Sequence, residues 1–319
     1  MKKVLGLFVM FVLSVVIVSC GKQTENYFLS DYAKKFQNEF NNYTRQIDEN
    51  PSNSDAYRQR AEIRERIGDY KGALEDIKKA IEFDDKNYQL YYSKAMLENT
   101  LVYLKEAVQS FDKVIEISPK NFRAYRDRGR VKERIGNYEG SLTDFTKAID
   151  LNPNDDESFV SRGNLKNRIG DKKGALDDFD KAISINPVNI EAYRSKGFTI
   201  DVRDGNYKEA IAAFEKITKL NPNSADAYDL LGNAKRNFGD RKGALSAYKK
   251  AVELSPNHMY VYANMARLER ESGNRKEAIK LFEKALEIEP NNQEYKNDIA
   301  ALQREEEAVK EVSLSLHKD

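Results

Sequence analysis

The chain has 319 residues, enough for one large or two ordinary domains, and its charges nearly cancel, with Lys+Arg at 53 against Asp+Glu at 52. A net charge of +1 provides no global attraction to nucleic acid or to an anionic membrane surface. One cysteine cannot form an intramolecular disulfide, and the two histidines, His258 and His317, stand at no metal-ligand spacing, which argues against metal chemistry.

Lys2 and Lys3 precede an apolar run over 4–18 that is broken only by Gly6 and Ser14. A spanning helix needs about 20 apolar residues. This run has 15, and a basic start with a short apolar core predicts a secretory signal over 1–19. The run closes as Ile17-Val18-Ser19-Cys20, a branched apolar residue, a small residue, then the sole cysteine. This resembles the lipobox of bacterial lipoproteins. The resemblance implies thioether lipidation of Cys20, cleavage before it and acylation of its amine. Several acyl chains, at about 0.8 kcal/mol per buried CH2, would anchor the chain firmly. The expected location is the bacterial envelope. Gly21 stands where an Asp would favour inner-membrane retention in some bacteria, so the outer membrane is the expected side. Residues 20–26 read as a polar tether.

Phe28, Tyr32, Phe36, Phe40, Tyr43 and Ile47 recur every three to four residues, predicting an amphipathic helix over 27–48. It takes the place of a second repeat helix packed on the first repeat.

A repeat then begins. Pro119, Pro153 and Pro187 are 34 residues apart, as are Pro222, Pro256 and Pro290. Seven units occupy 54–292, at 54–87, 88–121, 122–155, 156–189, 190–224, 225–258 and 259–292. The fourth position is aromatic in all seven: Tyr57, Tyr91, Tyr125, Phe159, Tyr193, Tyr228 and Tyr262. The eighth is small: Ala61, Ala95, Gly129, Gly163, Gly197, Gly232 and Ala266. Gly68-Asp69-Tyr70 and Gly136-Asn137-Tyr138 mark the middle of two units. The pattern resembles the tetratricopeptide repeat (TPR) family over 239 of 319 residues. The resemblance implies an all-α fold, a right-handed α-solenoid of seven TPR helical hairpins. The physical reason is that helices this short cannot stand alone, so neighbours must stack. Three departures stand out. Val102 replaces the turn glycine, Asp85 replaces a proline, and Arg203-Asp204-Gly205 carries one extra residue. Tyr295, Ile299 and Leu302 predict a C-terminal capping helix over 293–311, with a frayed tail at 312–319.

The seventh positions are Arg60, Lys94, Arg128, Arg162, Lys196, Leu231 and Met265. Sixteen residues on stand Asp76, Ser110, Asp144, Asp178, Ala213, Ala247 and Leu281. Each Arg matches an Asp, which predicts ion pairs Arg60–Asp76, Arg128–Asp144 and Arg162–Asp178 across the hairpins; guanidinium suits such a bidentate contact.

The family resemblance places the first helix of each repeat along a concave groove. Arg123, Arg126, Arg130, Arg134, Asn164, Asn167, Arg168, Arg194 and Asn233 fall at its exposed positions. Such donors suit an acidic peptide or a free C-terminal carboxylate. The Lys/Asn clamp of chaperone-binding relatives is incomplete, because Val160 stands where its lysine would precede Asn164. Tyr92, Met96, Phe198 and Val202 offer a second, apolar surface at groove positions. No phosphate-binding glycine run is present, and no catalytic constellation emerges. The expectation is a non-enzymatic, lipid-anchored scaffold with a protein or peptide partner and the membrane as its contacts. No cofactor, small-molecule substrate or nucleic acid is expected. The alternative is a surface-displayed, adhesin-like protein binding through its convex face or loops.

Overall fold

The computed structural model describes residues 23–200 and 206–316, with side chains from 34 to 309. The signal segment, Cys20, residues 201–205 (with Val202) and His317 lie outside the described residues. Among these, the chain is all-α, with sixteen helices and no strand. Its contacts divide it into two units, residues 1–154 and 155–319.

The first unit opens with α1 (Gln23–Glu49), followed by three hairpins: α2 (Ser54–Arg66) with α3 (Tyr70–Phe83), α4 (Tyr88–Thr100) with α5 (Leu104–Ile117), and α6 (Phe122–Arg134) with α7 (Tyr138–Leu151). The second unit has four hairpins: α8 (Asp156–Arg168) with α9 (Lys172–Ile185), α10 (Ile190–Thr199) with α11 (Tyr207–Leu220), α12 (Ala225–Asn237) with α13 (Arg241–Leu254), and α14 (Met259–Glu271) with α15 (Arg275–Ile288). It closes with α16 (Gln293–Leu316). Within each unit, every helix packs on its successor, as a solenoid requires.

The local chemistry accounts for the boundaries. Asn53 and Asn121 accept hydrogen bonds at their side chains from the third amide of α2 and α6, satisfying donors that the helix leaves orphaned. At the other end of α2, Gly68 takes φ +81, and Asp69 N–H reaches Arg64 O at 2.8 Å, closing a Schellman turn. Small residues at the eighth position seat an aromatic from the partner helix. A Cβ on Gly163 would stand 2.7 Å from the Phe179 ring, so the ring occupies the space the glycine leaves. Phe111, Phe145, Phe179, Tyr248 and Phe282 are fully buried in this way.

Four details bear on the departures and boundaries read from the sequence, the first as a strained turn and the other three as differences. Val102 keeps the same turn as the glycines, at φ +65 and 63% exposed. The turn is therefore of the family's shape and is strained, because a β-branched side chain crowds the left-handed region. Helix α10 has 10 residues where other first helices have 13, ending as Ile200 leaves the helical region at ψ 119. Helix α1 begins at Gln23 rather than 27, since no glycine or proline comes after Gly21 to stop it. Helix α16 continues to Leu316, so residues 312–316 are helical rather than frayed, with no breaker among them.

Candidate protein-binding face and its polar supports

Three hairpins carry a bidentate ion pair. Arg60 donates to Asp76 at 2.9 and 2.6 Å, Arg128 to Asp144 at 2.9 and 2.6 Å, and Arg162 to Asp178 at 2.9 and 2.7 Å. The acceptors are only 3%, 2% and 3% exposed. Burial opposes the charge on Arg60 and Arg128, yet the hydrogen bond and field of the facing aspartate outweigh it and hold both pKa values above the ordinary arginine range.

The structure also shows a second cation on each carboxylate. Arg64 lies 3.1 Å from Asp76, Lys132 2.8 Å from Asp144, and Lys166 2.9 Å from Asp178. These sit four residues after the first arginine, one helical turn along the same face. Repeat two inverts the arrangement: Ser110 Oγ donates to buried Glu98 at 2.6 Å, and Lys94 reaches Ser110 at 2.9 Å and Glu98 at 3.1 Å. In repeat five, Lys196 turns to Asp180 at 2.7 Å and Glu209 at 2.8 Å.

The first helices of the first unit bear four of the nine expected polar groove residues, with Tyr92 and Met96. Arg123 and Arg130 are exposed, and Arg130 pairs with Asp127 at 3.2 Å. Arg126 does not belong among the exposed donors. It is 9% exposed, with its Nε 3.3 Å from the similarly buried Asp127 on the same helix. Tyr92 is likewise not a free apolar contact: it is half-buried, its ring meets Phe111 edge-on at 5.6 Å, and its hydroxyl donates to Asp127. Burial, then this hydrogen bond, raise the Tyr92 pKa well above the tyrosine range. Met96 is exposed, and Arg134 donates to Asn99 O at 3.2 Å. Between the N-terminal turns of α4 and α6 lies an open recess of about 610 Å³, lined in part by Tyr88, Tyr92, Phe122, Arg58, Lys120 and Arg123.

In the second unit, Asn164, Arg168 and Arg194 are exposed and Asn167 is half-buried, with Arg194 3.4 Å from Glu191 on its own helix. Asn233 is already engaged, donating to Asp229 at 3.2 Å and accepting from the Tyr248 hydroxyl at 3.0 Å. Burial pushes the Tyr248 pKa up to about 12 and raises that of Asp229. Phe198 is 62% exposed, resting edge-on against Phe214 at 5.4 Å. His258 meets Asp226 at 2.9 Å. No group of three or more His, Cys, Asp or Glu arranged to hold a metal ion occurs among the described residues.

A relation the sequence reading missed links consecutive first helices, and the last of them to α16. Tyr92 bonds Asp127, Asn99 bonds Arg134, Asp229 accepts from Asn264 at 2.9 Å, Arg236 meets Glu271 at 3.2 Å, and Arg270 meets Glu305 at 2.8 Å. Each pair is separated by 35 residues, one repeat plus one position. That offset is the signal that could have found them.

Tetratricopeptide repeat models match residues 88–121, 122–155, 198–259 and 236–304. No curated protein matches the chain. Among solved structures, the chain is similar to a tetratricopeptide repeat protein from Parabacteroides merdae at 20% identity and TM-score 0.56, covering 78% of this chain and 98% of that one. It is similar to the C-terminal part of a TPR repeat-containing protein from Cytophaga hutchinsonii at 16% identity and TM-score 0.60, covering 75% and 98%. A third similar structure is YrrB, described as a TPR protein with an unusual peptide-binding site, at 26% identity and TM-score 0.47, covering 59% and 96%. The matched repeats, which cover more than half of the chain, make it a member of the tetratricopeptide repeat family.

Proposed function

We propose that this chain is a lipid-anchored scaffold of the bacterial envelope that holds a protein or peptide partner on the first-helix face of its first unit. Family membership supports the coarser part, a protein-interaction scaffold. The observation that carries the finer part is the α4–α6 recess, where cations and aromatic rings line one open concavity. Aromatic and arginine side chains in such a setting are the usual anchors of protein contacts. The Ile17-Val18-Ser19-Cys20 run supports the lipid anchor. A second reading, binding through the hairpin turns, is favoured by exposed Tyr70, Val102, Tyr103, Ile135 and Tyr138.

Co-purification from native membranes with the Arg123→Glu/Arg130→Glu variant separates the two. Loss of a partner that the unaltered chain retains supports the face. Retention, with loss on Tyr103→Ser/Tyr138→Ser, moves binding to the turns. For the anchor, Cys20→Ala should release the chain from membranes; a variant that stays bound overturns lipidation.

A further inference from the structure

We propose that the α4–α6 recess is a specific docking site for an acidic peptide segment carrying one aromatic or aliphatic side chain. This rests on the protein-binding reading above and narrows the partner's chemistry.

The recess has two chemical halves. Tyr88, Tyr92 and Phe122 supply an apolar wall, and Arg58, Lys120 and Arg123 supply the charge. Arg58 is already committed, to Asp55 at 2.6 Å and Glu62 at 2.7 Å. Lys120 and Arg123 have no carboxylate partner among the described residues; Arg123 lies only over the Phe122 ring, at 5.7 Å. Two open cations beside one aromatic wall can hold a carboxylate by charge-assisted hydrogen bonds while an apolar side chain rests on the rings.

The second position of the first helix is Asp55, Gln89, Glu157, Glu191, Asp226 and Tyr260 in the other six repeats, and Arg123 only in the third. A cation in the first turn opposes the helix dipole, and α6 has no acidic residue there to offset it. Helix stability therefore does not account for Arg123, whereas recognition of an anion does. The aromatic wall gives an apolar side chain a place beside that anion. A peptide fits better than nucleic acid because Asp55 and Glu62 neutralise Arg58, leaving two open cations, enough for one or two carboxylates and too few for a continuous polyphosphate.

The test is fluorescence anisotropy on the full chain with a labelled acidic heptapeptide amide carrying one phenylalanine. Its Asn/Gln version, its Lys version and a labelled oligothymidylate are compared alongside. The acidic peptide should bind at least tenfold more tightly than the other three and weaken with salt. Lys120→Glu/Arg123→Glu should weaken it at least tenfold and improve binding of the Lys version. Lys105→Glu, an exposed change on α5, should leave binding unaltered. Both recess positions are exposed, so folding is retained and circular dichroism checks it. Equal binding of the acidic and amide peptides, tighter binding of the oligonucleotide, no binding, or indifference to the double variant each overturns the proposal. A chain that keeps its membrane partner while ignoring the acidic peptide retains the scaffold function and loses this specificity.

Discussion

The Ser110 hydroxyl donates to Glu98 at 2.6 Å, putting on the first helix of repeat two the buried carboxylate that repeats one, three and four put on the second. Residue 110 occupies the position of Asp76, Asp144 and Asp178, and residue 98 that of Arg64, Lys132 and Lys166. The charge has changed helices while the hairpin keeps a cation–carboxylate contact at its centre.

This exchange is testable by reversal. Ser110→Asp alone places a second carboxylate against buried Glu98 and should destabilise the chain by about 2–4 kcal/mol. Glu98→Lys combined with Ser110→Asp recreates the arrangement of repeat three and should recover most of the loss. Urea unfolding of the two singles and the double measures the coupling; strict additivity would disprove it.

Breaking one pair should cost more than removing it whole. Asp144→Ala strands Lys132 in a half-buried site and leaves Arg128 only the exposed Asp112, 2.6 Å away, so a loss of about 3–5 kcal/mol is expected. Repeat six places Leu231 and Ala247 at the corresponding positions without such a pair. Arg128→Leu/Asp144→Ala should therefore be more stable than Asp144→Ala alone, as thermal unfolding would show.

Val102 stands at φ +65 where five other turns have glycine. A β-branched residue there costs about 1–3 kcal/mol, partly offset by its lower entropy in the unfolded chain. Val102→Gly should raise stability by up to about 1 kcal/mol, and Gly136→Val should lower it by about 1–3 kcal/mol. A Val102→Gly chain clearly less stable than the unaltered one would mean that the turn carries no appreciable strain.

Asp229 gives a pH signature. Burial raises its pKa despite hydrogen bonds from Asn264 and Asn233. The folded state then holds this proton more tightly than the unfolded state. Its contribution is most favourable below the unfolded carboxylate value and declines as pH rises through the folded one. Asp229→Asn should accordingly raise Tm at pH 7 and show a shrinking advantage towards pH 4. An advantage that does not change with pH would contradict the sign.

The hairpin positions were legible because they arise from local chemistry: a turn glycine, a capping Asn or Asp, and a small residue facing a ring. The pairing of Arg60 with Asp76 was legible because both lie in one hairpin, at a fixed offset. Tyr92 was not, because Asp127 in the next repeat takes its hydroxyl, and Arg126 was not, because helix register alone does not reveal its burial beside Asp127. Glu98 escaped notice because it is ordinary on its own helix and only the loss of the aspartate opposite gives it a role. The helical start of α1 and end of α16 were missed because polar composition suggested a tether and a tail, whereas helix length depends on the absence of breakers.

Helix α1 has 27 residues against 13 in α2, and Arg66, the last residue of α2, lies over the Phe36 ring. Thirteen residues of α1 thus run on past the hairpin, which at 1.5 Å per residue is a strut of about 20 Å. Were the chain tethered near residue 20, that strut would act as a spacer, holding the first hairpin clear of the attachment point and leaving room beneath it for a bulky neighbour.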